Sequence, residues 1–330
     1  MVPGVRKDPL GRPAAIIIRD RALRLVRDAD KAVARFDAKG DARALHQVRL
    51  ALRRLRGWLR AFDSQLQMKS RLRRRLQRLA RATNIARDAG IACELLDELQ
   101  PELESAAKTQ VMSLALSLGV LREKHYRLAR RELPSAWRKL SAKLRYHIAA
   151  IEPAEDSPRF RQAFAHSLRI YIEGFEAALR GANRNPDAPH IHRLRIAGKR
   201  IRYLTETILP WYPQAKPLVR ELTALHADAG HIQDLQRFME LSEEVFLHQA
   251  AARYRRLLGR YTDIGAHDRR LPKPGSNLTL PLLSICRTVA KQQARYMAAV
   301  KKSYLARRRP DCVSRMHKLA DQLDKRVTNR

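Results

Sequence analysis

Between residues 42 and 62 the apolar positions fall at Leu45, Val48, Leu52, Leu55, Leu59 and Phe62, in alternating steps of three and four. That spacing is the buried stripe of a bundle helix. Similar stripes run through Ile17, Leu23, Val26, Val33 and Phe36, and through Leu72, Leu76, Leu79 and Ile85. They predict helices over about 14–39 and 65–89, with an apolar, acidic helical piece over 91–99. Gly40 ends the first helix, and Asp41 caps the next. Beyond Pro101 the pattern predicts a helix to about Leu133 with Pro134 as its stop, then another over 135–150. Further helices are expected over 159–180, from a cap at Asp187 to Leu209, over 215–230, on to about Tyr261, and over 280–308. No stretch alternates as a strand would. Three prolines and two glycines mark residues 1–13 as a flexible arm, and a break at Pro310 leaves 311–330 as a basic tail.

The stripe over 42–62 has a companion row. His46, Arg49, Arg53, Arg56 and Arg60 each follow a stripe residue by one position, about 100° round the helix. The cations therefore border the core instead of standing opposite it. The stretch from His46 through Arg49, Arg53, Arg54 and Arg56 is echoed by His192, Arg195, Lys199, Arg200 and Arg202. In each copy cations stand three, seven, eight and ten residues after the histidine, and the copies lie 146 residues apart. A second marker keeps that register: Asp88 and Asp234 each follow their histidine by 42 residues. A helix, a turn and a returning helix fit this interval, so both aspartates read as internal orienting partners for a motif arginine, or as caps. The expected fold is all-α: two pseudo-symmetric antiparallel helical bundles from an internal duplication, residues 14–152 and 153–310, forming one basic cleft or channel.

Charge narrows the partner. The 330 residues hold 67 Lys and Arg against 33 Asp and Glu, a net +34. Such an excess draws polyanions: nucleic acid, an anionic membrane face or an inorganic polymer. From Ala42 to Arg87 the only acid is Asp63. No apolar run approaches the ~18 residues of a membrane span. Cys93, Cys286 and Cys312 lie far apart without a CxxC pairing. Neither a disulfide framework nor a zinc site is expected, and cytosolic residence is.

The doubled His-x-x-Arg-x-x-x-Arg/Lys-Arg-x-Arg, each copy followed by its aspartate, resembles the CHAD domain, the conserved histidine α-helical domain. The likeness spans about residues 14–310. The second copy matches more closely, ending in Tyr203 where the first has Gly57. The resemblance implies paired bundles around a basic channel that binds inorganic polyphosphate, with association with polyphosphate granules. The Glu-x-Glu-x-Lys start of the triphosphate-hydrolysing domain fused to some members is not found, so no catalytic residue is expected. By position, the ligand-facing candidates are His46, Arg49, Arg53, Arg54, Arg56, His192, Arg195, Lys199, Arg200 and Arg202. Arg60, Arg74, Arg78 and Arg220 extend the row. Asp88 and Asp234 are assigned a structural role. Neither metal nor cofactor is expected, since each motif has one histidine among repelling cations. Whether the histidines donate to phosphate or support the core border stays open. The alternative is a nucleic-acid-binding protein gripping backbones without sequence preference; nucleic acid would otherwise be a non-specific competitor. Against it, aromatics are 6% of the chain and are not interleaved with the basic runs, whereas single-strand sites use them to stack bases.

Overall fold

Ten α-helices form among the residues that the computed structural model describes, which are 9–102, 108–152, 158–262, 279–305 and 311–325. In order they are α1 (Ala14–Lys39), α2 (Ala42–Ala61), α3 (Asp63–Leu66), α4 (Ser70–Leu99) and α5 (Lys108–Ala149), then α6 (Phe160–Arg184), α7 (Ala188–Glu206), α8 (Lys216–Thr262), α9 (Thr279–Val300) and α10 (Asp311–Lys325). The all-α expectation holds for these residues.

The helices that carry the motif copies start alike. Asp41 accepts a hydrogen bond from the Ala44 amide at 2.6 Å, and Asp187 accepts from the His190 amide at 2.8 Å. Each satisfies an amide that a helix start leaves without a partner. Gly40 ends α1 at φ 66°, a left-handed conformation that glycine adopts without penalty. A Cβ there would lie 2.9 Å from the Arg130 guanidinium, which donates to the Asp37 and Ala38 carbonyls and covers the end of α1.

The described residues pack as two units. They do not follow the expected split at 152/153. One comprises Met1–Asn84, Arg127–Gly230 and Met297–Arg330; the other comprises Ile85–Tyr126 and His231–Tyr296. The reason is helix length: α4, α5, α8 and α9 each contribute residues to both units. Both motif helices, α2 and α7, belong to the first.

That first unit is knit by apolar faces. Trp58 of α2 donates Nε1–H to the Ile18 carbonyl of α1 at 3.0 Å, and its ring lies 4.5 Å from that of Phe62. Phe62 in turn meets Phe160 of α6 at 5.9 Å. Each such ring pair is worth about 0.5–1.5 kcal/mol beyond its area. In the second unit Leu96, Leu99, Leu114 and Leu118 pack with Leu235, Phe238, Leu241 and Ile285 as a separate buried core.

Several sequence expectations need correction. Pro134 does not stop a helix: α5 runs 42 residues through it. An interior proline costs about 3 kcal/mol. Burial of Leu133, Trp137, Leu140, Leu144 and Ile148 on the continuing face offsets that, at about 1.5–3 kcal/mol each. The break expected near residue 230 is likewise absent, and α8 spans 47 residues. The helix expected over 65–89 instead starts at Ser70 and runs to Leu99. It follows Gln67, which closes α3 at φ 41°. Residues 9–13 are not a loose arm: Pro9 and Leu10 are buried, and the Arg12 carbonyl accepts from the Phe160 amide at 2.8 Å. Residues 311–325 are not a tail but α10. Met316, Leu319 and Leu323 are buried, and Asp321 and Asp324 receive the two arms of Arg169 at 3.0 and 2.8 Å. Residues 1–8, the acidic boundary at 153–157, the Pro272–Gly275 loop and the last five residues lie outside the described residues.

Removing the Asp41 cap tests how α2 is set. Asp41→Ala should lower unfolding stability by about 1 kcal/mol, read from the urea midpoint, and Asp41→Asn should recover most of it.

Candidate anion-binding site

Because α2 and α7 bury their stripes, the rows one position on emerge at the border of the same core. Both rows open onto one cavity of about 1000 Å³ in the first unit. From α2 it is lined by Arg53, Arg54, Arg56 and Arg60, and from α7 by His192, Arg195, Lys199 and Arg200. Arg74 of α4 joins them. Of the expected site residues, His46, Arg49, Arg78, Arg202 and Arg220 are not part of this wall. His46, Arg78 and Arg220 are exposed elsewhere on the surface.

The first arginine of each motif performs a different task from the others. Arg49 is 9% exposed and donates Nη1–H to the Thr83 carbonyl of α4 at 2.7 Å. Its counterpart Arg195 donates Nε–H to the His226 carbonyl of α8 at 3.3 Å. Both hold the helix that returns beside the motif. An arginine suits this use because its aliphatic stem packs while the fork reaches a carbonyl. Arg202 is also engaged: Glu206 lies 3.6 Å away, Thr223 Oγ1 accepts at 3.3 Å, and the guanidinium stands 4.6 Å over the Tyr203 ring.

Tyr203 ties the two rows together. Its hydroxyl accepts from Arg53 Nη1 at 3.0 Å, and Lys199 Nζ lies 5.9 Å from its ring centre. Contacts of this kind contribute about 0.5–2 kcal/mol and hold flexible cations in place. The equivalent position, Gly57, also lines the cavity, and a Cβ added there would meet nothing within 4 Å.

Like charges dominate the electrostatics. Ten cations stand in the wall against two carboxylates, Asp63 and Glu206. Asp63 pairs with Arg73, and Glu206 faces Arg202. Burial, followed by Arg60, Arg81 and Arg53, lowers the pKa of Arg56. Burial and Arg24 lower that of Arg21, and burial and Arg60 that of Arg200. In each case the charged form lacks solvent and has cationic neighbours.

The same field acts on the histidines. Burial, then Arg195 and Lys199, lowers the pKa of His192, whose Nδ1 is buried without a hydrogen-bond partner among the described residues. His226, passed over in the sequence, is pushed down to about 2 by burial and by Arg195, Lys199, Arg202 and Arg53. Both imidazoles are therefore neutral at pH 7. Arg21, Arg73 and Tyr171 of the wall were also not singled out from the sequence. Arg21 sits on α1, outside either repeat marker. Asp63, the one acid in the basic run, was a visible hint to Arg73 ten residues on.

Asp88 and Asp234 lie in the second unit, where Arg87 stands 3.7 Å from each, and Arg237 lies 3.5 Å from Asp88. Arg87 and Arg237 thus stand beside these aspartates. Partly exposed pairs of this kind contribute about 1 kcal/mol or less. Among the described residues no three His, Cys, Asp or Glu side chains gather as a metal site, and no helix is long and apolar enough to cross a membrane.

Comparison with known proteins agrees with this architecture. The crystal structure of the CHAD domain from the plant Ricinus communis is similar over 93% of this chain and 98% of that one, with TM-score 0.61 and 18% identity, a likeness of fold. No curated protein sequence matches. The family model of the CHAD domain matches residues 17–243. The chain belongs to the CHAD domain family.

Proposed function

We infer that the cavity binds inorganic polyphosphate and that the protein is a binding module for that polymer, not an enzyme. The observation that carries this reading is the wall itself: ten cations and two carboxylates around about 1000 Å³. A phosphate chain brings about one negative charge per unit along its whole length. It relieves the crowding of Arg56, Arg200 and Arg21, and accepts forked hydrogen bonds that arginine makes in pairs. It needs no stacking surface. The one cavity tyrosine with cations over its ring, Tyr203, is occupied by Arg202 and Lys199 and by the bond from Arg53. Nucleic-acid bases would compete for that ring. Catalysis on phosphoanhydrides would need a carboxylate cluster for metal, or a nucleophile with its base. The wall's two carboxylates both stand beside arginines. In a cell, such a module would follow polyphosphate into granules or scaffold other components on it.

Two expectations follow. In titrations with long-chain polyphosphate and with single-stranded DNA of equal charge, polyphosphate should bind more tightly. Arg53→Ala, Arg56→Ala and Lys199→Ala should each weaken it about ten-fold and flatten the salt dependence by about one ion. Arg49→Leu should instead lower unfolding stability by about 2 kcal/mol, leaving the affinity of the folded protein nearly intact. Tighter DNA binding, indifferent to the three wall substitutions, would overturn the reading.

The second concerns pH. A histidine whose folded pKa is depressed binds its proton in the unfolded chain first. Stability is therefore full above about pH 6.5 and falls as pH drops below it. At pH 5.5 the ligand-free protein should lose about 1 kcal/mol through His226 alone, since its pKa stays near 2. Polyphosphate favours a charged His192, so affinity should be flat from pH 8 to 6.5 and rise below it. Thermal melts with and without the polymer across pH 5–8 measure both; affinity still flat at pH 5 would assign His192 to the fold alone.

A further inference from the structure

Tyr203 and Tyr171 both line the cavity, and their hydroxyls differ. Tyr203 Oη accepts from Arg53 Nη1 at 3.0 Å. Tyr171 Oη is buried and has no hydrogen-bond partner among the described residues. A hydroxyl in that state has lost its water contacts without compensation. The backbone keeps it there: α6 is anchored by Phe164, Leu168, Ile172 and Phe175, all buried, so the helix cannot turn this ring to solvent without uncovering its core face. The fold does not need the oxygen. In the 146-residue register of the motif copies, Tyr171 corresponds to Leu25 of α1 (171 minus 146), which lines the same cavity and is 3% exposed. An apolar residue serves at the matching place in the first half.

Two cations act on this hydroxyl, Arg60 of α2 and Arg200 of α7, one from each row. Guanidiniums only donate, so neither can take its hydrogen. Burial raises the Tyr171 pKa, outweighing the opposite pull of Arg200 and Arg60, and the phenol stays protonated at neutral pH. The wall's carboxylates, Asp63 and Glu206, stand beside Arg73 and Arg202 instead. What the place lacks is an acceptor that also carries negative charge.

We propose that Tyr171, Arg60 and Arg200 form one phosphate seat, in which a single phosphate group of the polymer accepts from the phenol and from both guanidiniums. The proposal rests on the polyphosphate reading and adds to it a residue outside both motifs, and the point where one phosphate joins the two rows. A phosphate inside the chain carries non-bridging oxygens whose lone pairs serve more than one donor. A hydroxyl donating to such an oxyanion makes a short, strong bond. Tyr171 Oη is shielded from water, whereas Arg60 and Arg200 are exposed. The seat forms as these long side chains turn toward the entering charge.

The test compares variants of the full chain by titration with long-chain polyphosphate and by thermal melts. Tyr171→Phe should bind the polymer about ten-fold more weakly while melting at the wild-type temperature or above, because the ligand loses a donor and the fold loses an unpartnered oxygen. Arg60→Ala should weaken binding by a similar factor. Joined in one chain, the two substitutions should lower affinity little further than Arg60→Ala alone, since a phosphate no longer held by Arg60 leaves the phenol without its acceptor. A Tyr171→Phe variant that binds as the wild type does, or that melts lower, would overturn the seat, as would losses that simply multiply. Arg53→Ala separates this from the polyphosphate reading itself. If Arg53→Ala weakens binding and Tyr171→Phe does not, polyphosphate binding stands and the seat falls; if neither weakens it, both fall.

Discussion

Crowded positive charge is the constraint around which the first unit is built. Two guanidiniums ~6 Å apart repel by about 0.7 kcal/mol in water and about 3 kcal/mol where the effective dielectric falls to 20. The α2 row alone stacks several such neighbours, and nothing in the row itself neutralises them. What holds α2 in place is the stripe one position behind. Leu45, Val48, Leu52, Leu55 and Leu59 are each at most 3% exposed. At about 1.5–3 kcal/mol apiece, their burial exceeds the pairwise repulsion of the row. The one-position offset is thus the structural solution: the apolar atoms are covered completely, while the cations reach the rim of the core and keep part of their water.

Under that constraint the motif divides its arginines by task. Arg49 and Arg195 sit three residues after the histidines and bind backbone carbonyls of α4 and α8. The cations seven and eight residues on reach the cavity in both copies. Those ten residues on diverge, Arg56 to the cavity and Arg202 to Glu206 and Thr223. Residue type alone could not separate these roles, because an arginine that carries a fold and one that lines a cavity look the same in sequence. The difference lies in what stands across from each, and that is set by the returning helices.

What was legible in the sequence was whatever is local. The caps at Asp41 and Asp187, the stripes of α2 and α7 and the paired rows depend on residues within a turn or two of each other. What was not legible depended on distant burial. Pro134 is a stop by local rules, yet Leu133 and Trp137 are buried on both sides of it, and the helix continues. The start of the chain is proline- and glycine-rich, yet the Arg12 carbonyl is taken by Phe160. α10 was readable in part: Met316, Leu319 and Leu323 keep helical spacing, but the break at Pro310 set the stretch apart as a tail. Arg21 and His226 entered the cavity's surroundings from helices without a motif, and only packing reveals them.

The departures between the two rows bear on what kind of ligand fits. The α2 wall offers arginines and the open space at Gly57; the α7 wall offers His192, Lys199 and Tyr203, with Glu206 at its end. A ligand with distinct ends would bind this cavity in one direction, and each wall would be held to its own pattern. The interior of a phosphate polymer reads the same in both directions. For it, an arginine wall facing a mixed wall is equivalent to the reverse, and only the summed charge and the spacing of donors matter. On the polyphosphate reading, Gly57 and Tyr203 can therefore differ without loss. Tyr203 fixes Arg53 and Arg202, and Gly57, which carries no ring at the matching position, leaves open space in the wall.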